Sequence, residues 1–137
     1  MRFLVVDDDS MSRRIVQLML KPYGTCVCVE SGEAGLEAHR QSIEEKSPFS
    51  VIYLYMLMPG LGGLEFLEVL RKTEREQRAA SAVPVIMLTG DAHVSRISQA
   101  QALGVAEYLL KPVAEERLIQ GLERLDLLDP EQDDQVA

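Results

Sequence analysis

Five short apolar runs recur along the chain, each followed by a stretch whose apolar positions fall at helical spacing. The runs cover residues 3–6, 25–29, 51–55, 83–88 and 106–110. The first, third and fourth are apolar at consecutive positions, which suits strands covered on both faces inside a parallel sheet. After the first run, Ile15, Leu18, Met19 and Pro22 follow i, i+3, i+4, i+7 spacing and predict the inward face of a helix, with Asp9 or Ser10 as its N-cap. Ser31 is placed to cap a second helix over 33–46, which runs through Leu36 and Ile43. Gly63, Phe66, Leu67 and Leu70 mark a third, passing into a polar stretch at 73–81. Val94, Ile97 and Gln101 mark a fourth, ended by Gly104, and Leu118, Leu122 and Leu125 a fifth. Strand and helix alternating five times predict an α/β doubly wound fold: a five-stranded parallel sheet with helices on both faces. One domain over 1–128 is expected, followed by an acidic, frayed tail over 129–137, with no linker to a second domain.

Composition narrows the partners. The chain has 137 residues, 47% hydrophobic and 26% charged, enough for one domain with one substantial core. Fourteen Lys and Arg face 22 Asp and Glu, a net charge of −8, which argues against nucleic acid or an anionic membrane as partner. The longest apolar stretch, 51–58, is far short of the roughly 20 residues of a membrane helix. The N-terminus meets Asp7 before any signal-like hydrophobic region of adequate length, so a cytoplasmic setting is expected. Cys26 and Cys28 are spaced neither as a redox CxxC pair nor as half a zinc site. Period-two alternation puts both on one strand face, where they read as core filling. His39 and His93 read as surface residues, and the charge run 71–78 as a solvated helix face.

Candidate chemistry collects where a doubly wound sheet keeps its site, outside the carboxyl ends of the strands. The first run ends in Asp7, Asp8 and Asp9. The third ends at Tyr55, followed by Met56-Leu57-Met58-Pro59-Gly60, the fourth runs into Thr89, and the fifth into Lys111 and Pro112. Clustered carboxylates suit a hard cation such as Mg²⁺. A hydroxyl and an ammonium suit a phosphoryl group. Any one of these residues alone reads better as a helix cap or a solvated turn residue; together, at matching strand ends, they read as a site.

The stretches Leu4-Val5-Val6-Asp7-Asp8-Asp9-Ser10, Met58-Pro59-Gly60 with Gly63, Leu88-Thr89, and residues 102–113 ending in Lys111-Pro112-Val113 stand in a familiar order and spacing. Over about residues 2–127 the sequence resembles the receiver domain of bacterial two-component response regulators. The resemblance implies a flavodoxin-like sheet of order 2-1-3-4-5. It implies that Asp7 and Asp8 are a metal-binding acidic pair, that Leu57 lends a backbone carbonyl to Mg²⁺, and that Thr89 is the hydroxyl that turns to the phosphoryl group. It makes Tyr108 an aromatic switch and Lys111 the conserved-type lysine, and it implies a cis bond before Pro112.

One position departs from the pattern. Four residues before Pro59, where the family carries the phosphate-accepting aspartate, stands Tyr55, and residues 50–63 contain no Asp or Glu. Gly62 also replaces a common Asp helix cap. A carboxylate is ionised at neutral pH and a phenol, with a pKa of about 10, is not. An acyl phosphate cannot form on Tyr55, and a Mg²⁺ site of Asp7, Asp8 and Leu57 is expected to be weakened. The expected function is a stand-alone receiver, a signalling module rather than an enzyme, acting by contact with a histidine kinase, a phosphotransfer protein or another regulator. It would be a monomer or a weak homodimer. The alternative is a Mg²⁺-dependent phosphoacceptor receiver whose aspartate at position 55 was replaced by engineering, or whose acceptor is another residue such as Asp8 or Asp9. An unrelated flavodoxin-like binding protein is disfavoured, because no Gly-rich phosphate loop follows the first run.

Overall fold

A computed structural model describes residues 1–79, 81–90 and 94–128. His93 and the tail expected over 129–137 lie outside the described residues. Ten elements alternate along the chain: β1 (Arg2–Val6), α1 (Ser10–Leu20), β2 (Thr25–Val29), α2 (Gly32–Glu44), β3 (Val51–Tyr55), α3 (Gly63–Glu76), β4 (Val85–Thr89), α4 (Val94–Ala102), β5 (Glu107–Leu110) and α5 (Glu115–Arg124). The strands form one parallel sheet of order β2-β1-β3-β4-β5. The strand order reverses between β1 and β3, so the crevice for a site opens there.

Side-chain alternation explains why the central strands read as unbroken apolar runs. Leu4, Val6, Ile52, Leu54 and Met87 pack on one face with Phe66, Leu67 and Leu70 of α3. Phe3, Val5, Tyr53, Ile86 and Leu88 pack on the other with Val16 and Leu20 of α1 and Leu118 and Leu122 of α5. Cys26 and Cys28 both pack against this second layer, as their shared strand face predicts. Burial holds both thiols above their usual pKa, Cys26 at about 11.

Three expectations about buried faces are corrected. In α1 the core face is Val16 and Leu20, while Ile15 and Leu18 are exposed and Pro22 lies beyond the helix end. Residues 15–20 are apolar nearly all round, so periodicity alone did not choose a face. In α2 the buried positions are Gly32, Gly35, His39 and Ser42, and Ile43 is exposed. Small residues are needed there because the helix lies close on its neighbours: a Cβ on Gly35 would stand 2.9 Å from side-chain atoms of Val6 and Phe66. His39 is therefore a buried residue, not a surface one. In the charge run, Arg71 and Glu74 are buried and paired at 2.8 Å rather than solvated.

Candidate functional site

The register of the sheet assembles the site. Val6 pairs with Leu54, so Asp7 leaves β1 beside Tyr55, the last residue of β3. Tyr55 pairs with Leu88, so Thr89 at the end of β4 lies one residue further along. Thr89 is fully buried, and its carbonyl accepts from the Lys111 N–H at 2.8 Å. The Lys111-Pro112 bond is cis.

Lys111 is the centre of the arrangement. Its Nζ donates to Asp7 Oδ2 at 2.6 Å and to Ser12 Oγ at 3.1 Å, and lies 3.7 Å from the centroid of the Tyr55 ring. An ammonium has three N–H donors, and three partners surround this one: a carboxylate, a hydroxyl and an aromatic face. Asp7 is 1% exposed, and its other oxygen accepts from the Asp9 N–H at 3.0 Å. Arg13 donates to the Asp7 carbonyl at 2.7 Å. Asp9 caps α1 by accepting from the Met11 N–H, and Ser12 donates to its second oxygen at 2.9 Å. The Ser12 hydroxyl, then that backbone bond, hold the exposed Asp9 carboxyl below its usual pKa.

The β3–α3 loop is fixed from below and from the side. Gly62 is the N-cap of α3, and its N–H donates to Glu65 at 3.2 Å. Gly63 N–H donates to the Met56 carbonyl at 2.8 Å, and Leu61 N–H to Glu33 of α2 at 3.0 Å. A Cβ at Gly63 would stand 2.8 Å from both Met56 Cα and the Tyr55 carbonyl oxygen, so the helix start is pressed against the end of β3. Tyr108, half-buried on β5, donates its hydroxyl to Met56 Sδ at 3.8 Å.

Asp7, Tyr55, Thr89 and Lys111 thus come together at one sheet edge, with Tyr108 reaching its rim. Asp8 and Leu57 lie at the same edge and are exposed. Asp7, Asp8 and the Leu57 carbonyl are the groups that could hold a divalent cation. Both Asp7 oxygens already have protein partners, and among the described residues no three His, Cys, Asp or Glu side chains converge. Ser12 and Arg13 were not singled out from sequence. Ser12 is one of two serines in the first turn of α1, and only the fold distinguishes it from Ser10.

Residues 3–123 match the family described as Response regulator receiver domain, and the chain belongs to that family, the receiving module of two-component and phosphorelay signalling. Among curated relatives it is 32% identical to the sensor protein GacS of Pseudomonas syringae pv. syringae over 87% of this chain, and 30% identical to histidine kinase 2 of Arabidopsis thaliana over 90% of it. The chain spans 13% and 12% of the length of those relatives. Among solved structures, it resembles the receiver domain of the histidine kinase CKI1 from Arabidopsis thaliana complexed with Mg²⁺ and BeF₃⁻. The TM-score is 0.79 at 25% identity, covering 91% of this chain and 89% of that one. A response regulator receiver protein from Pseudomonas putida gives a TM-score of 0.74 at 28% identity, covering 90% and 95%. Among the described residues no helix is long and apolar enough to cross a membrane.

Proposed function

We propose that this receiver domain signals without aspartyl phosphorylation at position 55, through protein–protein contact with a histidine kinase, a phosphotransfer protein or another regulator. The observation that carries the reading is the enclosure of Lys111. Its ammonium, the group suited to meet an incoming phosphoryl oxygen, is held by Asp7, Ser12 and the Tyr55 ring. Tyr55 offers a ring face where an acceptor would present an anionic oxygen. The donor set also fits Mg²⁺ poorly. Asp7 is committed to Lys111 and Asp9, which leaves the exposed Asp8 and backbone carbonyls, whereas hard cations favour several oxygen ligands, with carboxylates among them.

The test is intact-mass analysis after incubation with acetyl phosphate and Mg²⁺, with the unaltered protein beside Tyr55→Asp. The expected result is a phosphoryl adduct on Tyr55→Asp alone. An adduct on the unaltered protein overturns the proposal and sends the search for an acceptor to Asp8 and Asp9 by peptide mapping.

A further inference from the structure

At the opposite end of the sheet, before β4 and β5 begin, a cavity of about 600 Å³ opens between the ends of α3 and α4. Its charged lining is Arg71, Arg75 and Arg78 against a single carboxylate, Glu74, in a chain that carries −8 overall. Glu74 is already satisfied: one oxygen accepts from Arg71 at 2.8 Å and the other from the Val83 N–H at 2.7 Å. Arg71 forms the floor. It is 9% exposed and donates to the carbonyls of Leu103, Val83 and Gly104 as well as to Glu74. Those bonds use four of the five guanidinium donors and leave one at Nη2. Arg75 and Arg78 stand exposed at the rim, and neither pairs with a carboxylate among the described residues.

Two helix C-termini close on this cavity, and their partial negative charge would repel an anion if left bare. They are not bare. Arg71 covers the carbonyls of Leu103 and Gly104. At the end of α3, Ala79 and Arg78 N–H groups return to the carbonyls of Glu74 and Arg75. What remains is an excess of two guanidinium charges, with donor forks free to grip an oxoanion bidentately. The volume is that of a small-molecule site, well beyond a bare ion.

We propose that this cavity binds a small phosphate monoester, with Arg75 and Arg78 gripping the phosphate and the buried Arg71–Glu74 pair holding the floor rigid. The site is independent of the Asp7–Lys111 edge, and its fate does not depend on how that edge works.

The experiment is amide NMR on the full chain, titrated separately with adenosine 5′-monophosphate, ribose 5-phosphate, inorganic phosphate and adenosine. The expected result is saturable shifts at Ser81, Ala82, Leu103 and Gly104 with the two monoesters, in the millimolar range or tighter, and none with adenosine. Inorganic phosphate should shift the same amides more weakly, and a response to it as strong as to the monoesters overturns the proposal. Arg75→Glu and Arg78→Glu, both at exposed positions, should each weaken binding about tenfold or more. Absence of saturation with either monoester overturns the proposal. So does saturation that survives in both variants, shifts confined to the Asp7 edge, or equal response to adenosine.

Discussion

The contact between Asp7 and Lys111 offers a quantitative test of how the site is held. Removing Lys111 as Lys111→Met leaves a carboxylate that is 1% exposed with one remaining hydrogen bond, from the Asp9 N–H. Breaking a buried pair from one side costs about 3–5 kcal/mol, because the surviving charge is stranded. The lysine side chain keeps 19% of its exposure, which lets water reach the pair and lowers the expectation to about 2–3 kcal/mol. For a domain of this size that is a fall in Tm of roughly 10 °C. Asp7→Asn keeps an acceptor for the ammonium and should cost less, about 1–2 kcal/mol. In the Asp7→Asn background, Lys111→Met no longer strands a charge, so the double variant should be more stable than the sum of the singles by about 1–2 kcal/mol. Tyr55→Leu removes a ring face 3.7 Å from Nζ and should cost about 1 kcal/mol with Lys111 present and less in the Lys111→Met background. Urea unfolding followed by circular dichroism, with unchanged m-values, reads all of these. A coupling energy between positions 7 and 111 below about 0.5 kcal/mol would refute the reasoning, since that is the behaviour of a solvated surface pair.

Other parts of the fold answer to separate measurements. Arg71→Met leaves the Glu74 carboxylate with only the Val83 N–H and strips the Arg71 donors from the carbonyls of Val83, Leu103 and Gly104, so a loss of about 3–5 kcal/mol is expected in the same unfolding assay, and a loss under about 1 kcal/mol would contradict the network. Gly63→Ala should destabilise by about 1–3 kcal/mol despite the better helix former, because its methyl meets the backbone of Tyr55 and Met56. Burial lowers the pKa of His39 below 6.5, with Glu74 opposing and Arg71 assisting. The unfolded chain therefore takes up the proton first as pH falls, so this stability is complete above about pH 6.5 and is lost below it, with a slope of at most about 1.4 kcal/mol per unit. His39→Gln should flatten that part of the stability–pH curve; an unchanged slope would assign it to other groups.

The strands were legible because β1, β3 and β4 are buried on both faces, a demand that consecutive apolar residues meet and few other patterns do, whereas their order came only with the resemblance to receiver domains. Asp7, Tyr55 and Thr89 were legible for the same reason, since they sit at the ends of those runs, while Lys111 follows β5, which is only partly buried. Helix faces were less so. In α1 the choice between Ile15 with Leu18 and Val16 with Leu20 rests on which side meets the sheet face of Phe3, Val5 and Tyr53, a tertiary fact. In α2 the core face is made of glycines, a serine and a histidine, which no hydrophobic period marks. Arg71 and Glu74 looked solvated because charge is usually exposed. Only the approach of the Val83, Leu103 and Gly104 backbones makes burying them tolerable, by supplying partners for nearly every donor and acceptor.

Charge balance connects Tyr55 to the retained Asp7 and Lys111. With an aspartate at position 55, two carboxylates at the strand ends would share one lysine, a net negative pocket that a divalent cation relieves. With Tyr55 the buried part reduces to one carboxylate and one ammonium, Asp7 and Lys111, while Asp8 is left to solvent. That pair is neutral on its own, and the tyrosine ring adds a third contact to the ammonium without adding charge. Asp7 and Lys111 are each the other's counter-ion. The consequence separates the unaltered protein from Tyr55→Asp cleanly. Tyr55→Asp should bind Mg²⁺, seen as a Tm that rises with Mg²⁺ concentration by the linkage of binding to folding. The unaltered protein should show little such dependence over the same range, and an equal rise in both would show that the charge at position 55 does not govern the site.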